Sequence, residues 1–481
     1  MAGKNKLNFI NKVAYGAGDF GAGVTSTLIV FSLLIFLTDV AGLRPELAAT
    51  VLLIGKIWDA LMDPVVGILS DRTSLRWGRR HSWMLFAALP FGVLFFFYWL
   101  VPNFSSDADT NQWLLFSYYV VIGLLFNTAF TCVNIPYSAL TPELTDDYDE
   151  RTSLNSFRFV FSISGSLSAL ALGQFIFQKV GDIEEKFLLF QQITDPQNRF
   201  LILAGICACL AIFPTYLCIW GTQDPSAGGN HNRQEKTSES LSLPEQLKIV
   251  FSNRPFLFVI GIYLCSWLAF QLTAATISYY LLYWMKQDSF FTAALVVQAV
   301  ALVMLLVWTE VSKKVGRRAV YFMGMSLWIV AQGVLFFLPR DQVGLMYFLF
   351  VLAGFGIATV YLVPWSMLPD VTDLDEYRNG ERREGIFYAF MILLQKIGLA
   401  LGIWLVGQGL SLAGYIEPQG GKEILEQPES ALLAIRLFVG PLPTVFLIGG
   451  LILAYFYPLS KEVHADIMLQ LKERKNSAEA E

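Results

Sequence analysis

Apolar runs of bilayer length recur along this chain, and no other feature constrains its fold as strongly. They lie near residues 14–40, 46–70, 83–102, 113–140, 156–179, 200–220, 256–285, 290–312, 319–338, 343–368, 385–412 and 433–457. A run of about 20 apolar residues crosses the hydrocarbon core as a helix, which satisfies its own backbone N–H and C=O groups where water cannot. The sequence therefore predicts an all-α polytopic membrane protein with twelve transmembrane helices. Only 15% of its residues are charged, against about 25% in a soluble domain. The polar stretch 221–250 predicts a cytoplasmic linker between a six-helix half at 1–220 and a second at 251–459, with a charged cytoplasmic tail at 460–481.

Basic residues set the expected orientation. Arg72, Arg76, Arg79, Arg80, Arg151, Lys313, Lys314, Arg317, Arg318, Arg378 and Arg383 fall in loops on the side of the termini. The opposite loops carry fewer, among them Arg44, Lys286 and Lys422. The positive-inside rule places both termini in the cytoplasm. The location is then a cell membrane, the inner membrane if the source is bacterial. The halves also echo each other. Pro136 to Asp146 closes the fourth run and Pro364 to Asp373 the tenth. Trp77-Gly78-Arg79-Arg80 follows the second run, and Val315-Gly316-Arg317-Arg318 the eighth. Both pairs are six helices apart, so the chain reads as a parallel tandem repeat. Such repeats place a solute site near mid-membrane.

Within the second run stands Lys56-Ile57-Trp58-Asp59-Ala60-Leu61-Met62-Asp63-Pro64. An Asp at the centre of a membrane helix costs roughly 2.5–3.5 kcal/mol, so intramembrane acids point to function. Asp59 and Asp63 share one helix face, one turn apart, and make half of a cation or proton site. Lys56 precedes Asp59 by three and partly compensates it. An internal salt bridge is the plainer alternative. Lys396, a lone amine in the run 385–412, needs an acid partner or a watery cavity, with Asp59 or Asp63 as candidates. The five cysteines sit in apolar runs as small hydrophobes. His81, His231 and His464 fall in loops or the tail and are expected to be solvated. The chain has no His-Glu-x-x-His, no Gly-x-Ser-x-Gly and no P-loop, which argues against a zinc protease, a serine hydrolase and an ATP-driven pump.

Gly67 to Arg72, followed by Arg76-Trp77-Gly78-Arg79-Arg80, resembles the loop signature of the major facilitator superfamily. Asp71, Arg72, Gly78, Arg79 and Arg80 are then a conformational latch, with glycine for the turn and charge-assisted bonds that break and re-form. The helix-two pattern resembles the glycoside–pentoside–hexuronide:cation symporters, the melibiose-carrier family within that superfamily. So do Tyr15-Gly16-Ala17-Gly18-Asp19, Asn134-Ile135-Pro136-Tyr137 and Pro369-Asp370 with Asp373. The resemblance runs from about Lys12 to Leu459. It implies the major facilitator fold, no enzyme activity, and a cation site of Asp59, Asp63 and Thr131 with Lys396 and Lys56 alongside. It also implies solute contacts at Arg158, which could instead snorkel to the membrane edge, at Asn134 in helix four, and at Asp19 or Gly23 in helix one. Where the melibiose carrier has a helix-four aspartate, Asn134 lacks charge, so a galactoside is not implied while a sugar is. Phe130, Tyr361 and Trp365 could stack on a sugar, and Gln395 beside Lys396 could bond it. A cation-coupled symporter of a glycoside or sugar is the leading expectation, acting as a monomer in the bilayer with no nucleic-acid partner and no resident cofactor. A lysolipid carrier of the same fold is the alternative; a non-transporting sensor or intramembrane enzyme is the reading of another class. The melibiose carrier has an asparagine before its second acid where this chain has Met62, a poor ligand for a hard ion. H+ is therefore favoured, with Na+ at Asp59 and Asp63 as the competitor.

Overall fold

The computed structural model describes residues 7–179 except 74 and 146, 195–222, 243–380 except 288, 383–418, 426–459, and 463, 464, 466–471 and 473. Among these residues the only regular elements are helices. Eleven are long and apolar enough to cross a membrane. They are helix one at Phe9–Leu33, helix three at Arg79–Phe97, helix four at Ala108–Leu144, helix five at Ser153–Gln178 and helix six at Pro196–Gly221. Then come helix seven at Arg254–Trp284, helix eight at Phe291–Val315, helix nine at Arg317–Phe337, helix ten at Val343–Asn379, helix eleven at Gly385–Leu412 and helix twelve at Glu429–Phe456. A twelfth, helix two at Pro45–Arg72, has 28 residues, or about 42 Å of rise. It has the length, but Lys56, Asp59 and Asp63 dilute its apolarity. Most of the expected linker lies outside the described residues; its end, from Leu243, is helical and belongs to Leu243–Ser252.

The helices gather into two compact units that do not follow the sequence halves. Among the described residues, those up to 222 are joined by those within 277–295 and 403–434, which are the far ends of helices seven and eleven and the first turns of helices eight and twelve with the described chain between them. The second unit holds the remainder. In the first unit, helices one and five cross backbone against backbone. A Cβ on Gly23 would stand 2.0 Å from the Ser162 carbonyl oxygen, and one on Gly165 would stand 2.3 Å from that of Phe20. Small residues permit such crossings in membranes, and this one leaves no room for a side chain at position 23.

The repeat is visible in backbone geometry. Gly78 opens helix three with φ 96° and ψ 163°, and Gly316 opens helix nine with φ 86° and ψ 155°. Only glycine adopts that conformation without strain. In each unit the next arginine pairs with the acid that follows a proline: Arg79 with Glu143 at 2.9 Å, and Arg317 with Asp370 at 2.6 Å. Gly78→Val is therefore expected to slow solute exchange several-fold at nearly unchanged solute affinity. Comparing exchange rate with equilibrium binding checks it; a fall in affinity at unchanged turnover would place the turn in the solute site.

Two histidines depart from expectation. His81 is buried, with Nε2 3.0 Å from the Thr222 hydroxyl. His464 is half-buried, 3.1 Å from Asp373 and 3.6 Å from Asp370. In both cases polar groups from distant sequence replace the expected solvent. His231 lies outside the described residues.

Candidate functional site

Asp59 is 1% exposed. Its Oδ1 accepts the Thr131 hydroxyl at 2.9 Å, and Lys56 Nζ stands 3.8 Å from Oδ2. One turn earlier on helix four, the Thr128 hydroxyl accepts the Trp58 indole at 2.9 Å. Helix four thus presents a threonine-bearing face to helix two, because residues three apart share a face. Asp63 is half-buried one turn beyond Asp59. Pro64 follows inside the helix and removes the N–H that the Ala60 carbonyl would have bonded. Thr131 and Lys56, placed beside Asp59 by the resemblance and by spacing respectively, lie within hydrogen-bond and ion-pair reach of it. Two oxygens of one carboxylate, a hydroxyl and a nearby ammonium can exchange a proton or a small cation against the amine. Lys396 is half-buried on helix eleven, in the second unit.

A second polar cluster stands where helix one breaks. The helix runs Phe9–Ala17 and resumes at Phe20, with Asp19 at the step. Asp19 is buried, and its Oδ2 lies 3.5 Å from Arg158 Nε. Arg158 turns inward rather than toward a membrane edge. It stacks 4.9 Å over the Tyr137 ring and donates to the Ser138 hydroxyl at 3.3 Å. Tyr137 in turn donates to the Tyr15 carbonyl at 2.8 Å and stacks on the Tyr15 ring at 5.0 Å, while the Tyr15 hydroxyl bonds that of Thr141. Gly18 leaves the space that the Tyr137 ring fills. Discontinuous helices with buried charge are a common way to build a solute site in transporters. Asn134 is half-buried on the Thr131 side of helix four. Phe130 packs against Phe91 at 5.8 Å and Phe126 at 6.3 Å.

Of the residues expected to form a latch, Arg79 and Arg80, and Asp71 through Arg80, gather around Glu143, an acid not among the expected site residues. Glu143 Oε1 takes Arg79 at 2.9 Å and Arg80 Nε at 2.8 Å. Arg80 also pairs with Asp71 and donates to Ser70 Oγ at 2.7 Å. Arg72 is exposed. The Pro-acid step that Glu143 shares with Asp370 was the signal that could have found it.

In the second unit an aromatic wall surrounds two of the expected stacking residues. Tyr361 lies edge-on to Trp267 and Phe270, each at 5.9 Å. Trp365 lies edge-on to Tyr263 at 5.9 Å and tilted to Tyr388 at 6.3 Å. The Trp267 indole donates to the backbone carbonyl of Gln395 at 3.0 Å. Tyr263, Trp267 and Phe270 follow one another at i, i+4 and i+7. That helical spacing could have marked them as one face, but aromatics are too frequent here for spacing alone to single them out. Among the described residues no group of three or more His, Cys, Asp or Glu is placed to hold a metal ion.

Residues 14–461 match the family described as MFS/sugar transport protein. An uncharacterized symporter of Synechocystis sp. is 46% identical, with 98% of each chain aligned. The sodium-dependent lysophosphatidylcholine symporter 1 of Mus musculus is 26% identical over 95% of this chain and 87% of its own. Among solved structures, a bacterial homolog of the human lysosomal transporter Spinster, inward-facing and unoccupied, gives a TM-score of 0.63 at 14% identity, over 96% of each chain. At that identity the likeness speaks for the fold.

Proposed function

The chain belongs to the MFS/sugar transport protein family, and we propose that it is a cation-coupled symporter of a small polar solute, a glycoside or sugar, working by alternating access. The observation that carries this reading is Asp59: a carboxylate buried in a membrane helix and bonded by Thr131, with Lys56 beside it. Carboxylates within membrane helices are costly and mark substrate, ion or proton pathways. Asp19 and Arg158 offer a paired acceptor and donor of the kind that holds hydroxyls, and the helix-ten aromatics offer apolar ring faces. In this reading both termini face the cytoplasm and the protein acts as a monomer.

We assign the proton as coupling ion. Sodium asks for several hard oxygens, and Met62 places a soft thioether next to the second acid. A proton needs one carboxylate whose charge burial penalises. A second reading, sodium-driven carriage of a lysolipid, draws support from relatives such as the mouse lysophosphatidylcholine symporter. Proteoliposomes with separately imposed pH and sodium gradients, offered labelled sugars and lysophospholipids, decide between them. The expected result is sugar accumulation driven by acid outside without sodium. Met62→Asn is then expected to add a sodium response that the native protein lacks. Strict sodium dependence at fixed pH would replace the proton, and uptake of lysophospholipid alone would replace the sugar.

A further inference from the structure

Helix one does not stop at Leu33. It continues in wide π-helical turns through Ile29–Leu33 and Phe36–Val40, to the face opposite the Gly78 turn. Asp39 stands at that end. Its Oδ1 accepts the Thr38 hydroxyl at 2.6 Å and the Tyr415 hydroxyl at 2.7 Å. Its Oδ2 accepts the Tyr283 hydroxyl at 2.6 Å. Thr38 is itself bonded to Tyr279 at 2.8 Å, so three tyrosines converge on one carboxylate, directly or through Thr38. Tyr279 and Tyr283 end helix seven, Tyr415 follows helix eleven, and all belong to the first unit. Nothing in the coupling chemistry above uses this group.

Two further observations mark these helix ends as a built junction. Helix seven closes with a π-helical turn at Tyr280–Trp284. Next comes Lys286, the one non-glycine described residue with a positive φ, at 52°; such turns and such φ values concentrate at functional sites. Beyond helix eleven, Gln427 brackets Ile416 by accepting from its N–H at 3.0 Å and donating to its carbonyl at 2.7 Å, which fixes the segment that carries Tyr415. Above the junction lies a cavity of about 580 Å³ lined by Asp39 and Tyr283 together with Asp195 and Arg199.

We propose that Asp39 is a positioning residue for transport: its carboxylate gathers the ends of helices one, seven and eleven into a closed gate, and loss of its charge releases them. The inference rests on the alternating-access reading above. A carboxylate accepts short, charge-assisted bonds from all three hydroxyls at once. A protonated or amidated group has a donor where one acceptor was, so one hydroxyl must turn to accept, and all three bonds lose the charge assistance that makes them strong. The titratable and charged groups facing Asp39 are Tyr279 and Tyr283 on helix seven, Tyr415 after helix eleven, and Asp195 and Arg199 across the cavity.

Spin labels at the exposed positions Lys286 and Leu412, at the ends of helices seven and eleven, in a variant lacking the five native cysteines, report the separation of these ends in the full-length protein in nanodiscs. Asp39→Asn is expected to enlarge the long-distance population at least about tenfold, as is acidification of the parent protein. Acid should add nothing further in Asp39→Asn, a response that a merely structural role would not give. Asp39→Glu should restore most of the short-distance population. If Asp39→Asn does not fold, the Tyr283→Phe and Tyr415→Phe pair, which removes two donors and leaves the charge, must show the same opening. Distances in Asp39→Asn identical to the parent, or an acid response that persists in it, would overturn the gate. Failure of the transport reading would show separately, as a parent protein that opens and closes but accumulates no solute.

Discussion

Asp59→Asn is expected to reduce the accumulation ratio of the transported solute to one while solute exchange across the membrane continues. The amide is nearly the same shape as the carboxylate, and its oxygen can still accept the Thr131 hydroxyl now bonded at 2.9 Å. What vanishes is the charge that a proton or cation neutralises. Lys56 loses its partner, but it is the more solvent-accessible member of the pair, so the fold should survive the change. Coupling is reciprocal: if solute binding tightens when the coupling ion is present, that tightening should vanish in the same variant. Counterflow of labelled solute, which needs no ion gradient, separates loss of coupling from loss of binding. Counterflow near the parent rate with no uphill accumulation is the expected pair of results. Full accumulation by Asp59→Asn would remove Asp59 from the coupling site.

Much of this arrangement was legible because membranes exaggerate certain signals. A span of apolar residues has one stable conformation in lipid, so the twelve helices could be read with most boundaries a few residues off; helix ten runs eleven residues past its apolar run, to Asn379. Helix two was conspicuous for the same reason that it falls short of the apolarity of the other eleven: Lys56, Asp59 and Asp63 are costly there. The Gly78 and Gly316 turns were readable because a positive φ demands a glycine, and their repetition six helices apart exposed the tandem design. What stayed hidden depends on side chains far apart in sequence. Asp39 sits at the end of an apolar run, where an acid is ordinary; its partners Tyr279, Tyr283 and Tyr415 lie hundreds of residues away. Glu143 reads as one more loop acid until Arg79 and Arg80 are seen on it. His81 reads as a loop residue until Thr222, at the end of helix six, is brought beside it. Local periodicity reports which face of a helix is apolar, not which hydroxyl a carboxylate will find.

The largest effect on folding is expected at the break in helix one. Arg158→Leu would leave Asp19 buried among Gly18, Tyr15 and Tyr137 without the guanidinium at 3.5 Å. Removing one member of a buried ion pair typically costs about 3–5 kcal/mol, because the other charge remains desolvated. The lost cation–π contact with Tyr137 adds about 0.5–2 kcal/mol. Asp19→Asn alone should cost less, since the half-buried Arg158 keeps the Tyr137 ring and the Ser138 hydroxyl. Combining Asp19→Asn with Arg158→Leu should therefore recover a good part of the stability that Arg158→Leu loses. Thermal melting of the purified protein in one detergent measures all three variants, and the cycle isolates the coupling between the two side chains. The same set tests the role in binding. If Asp19 accepts a solute hydroxyl, Asp19→Asn should weaken equilibrium binding roughly 10–100-fold, the worth of one hydrogen bond to a charged group, in protein that melts close to the parent. Strictly additive losses of stability would dissolve the ion pair, and unchanged solute affinity in Asp19→Asn would move the solute site away from the helix-one break.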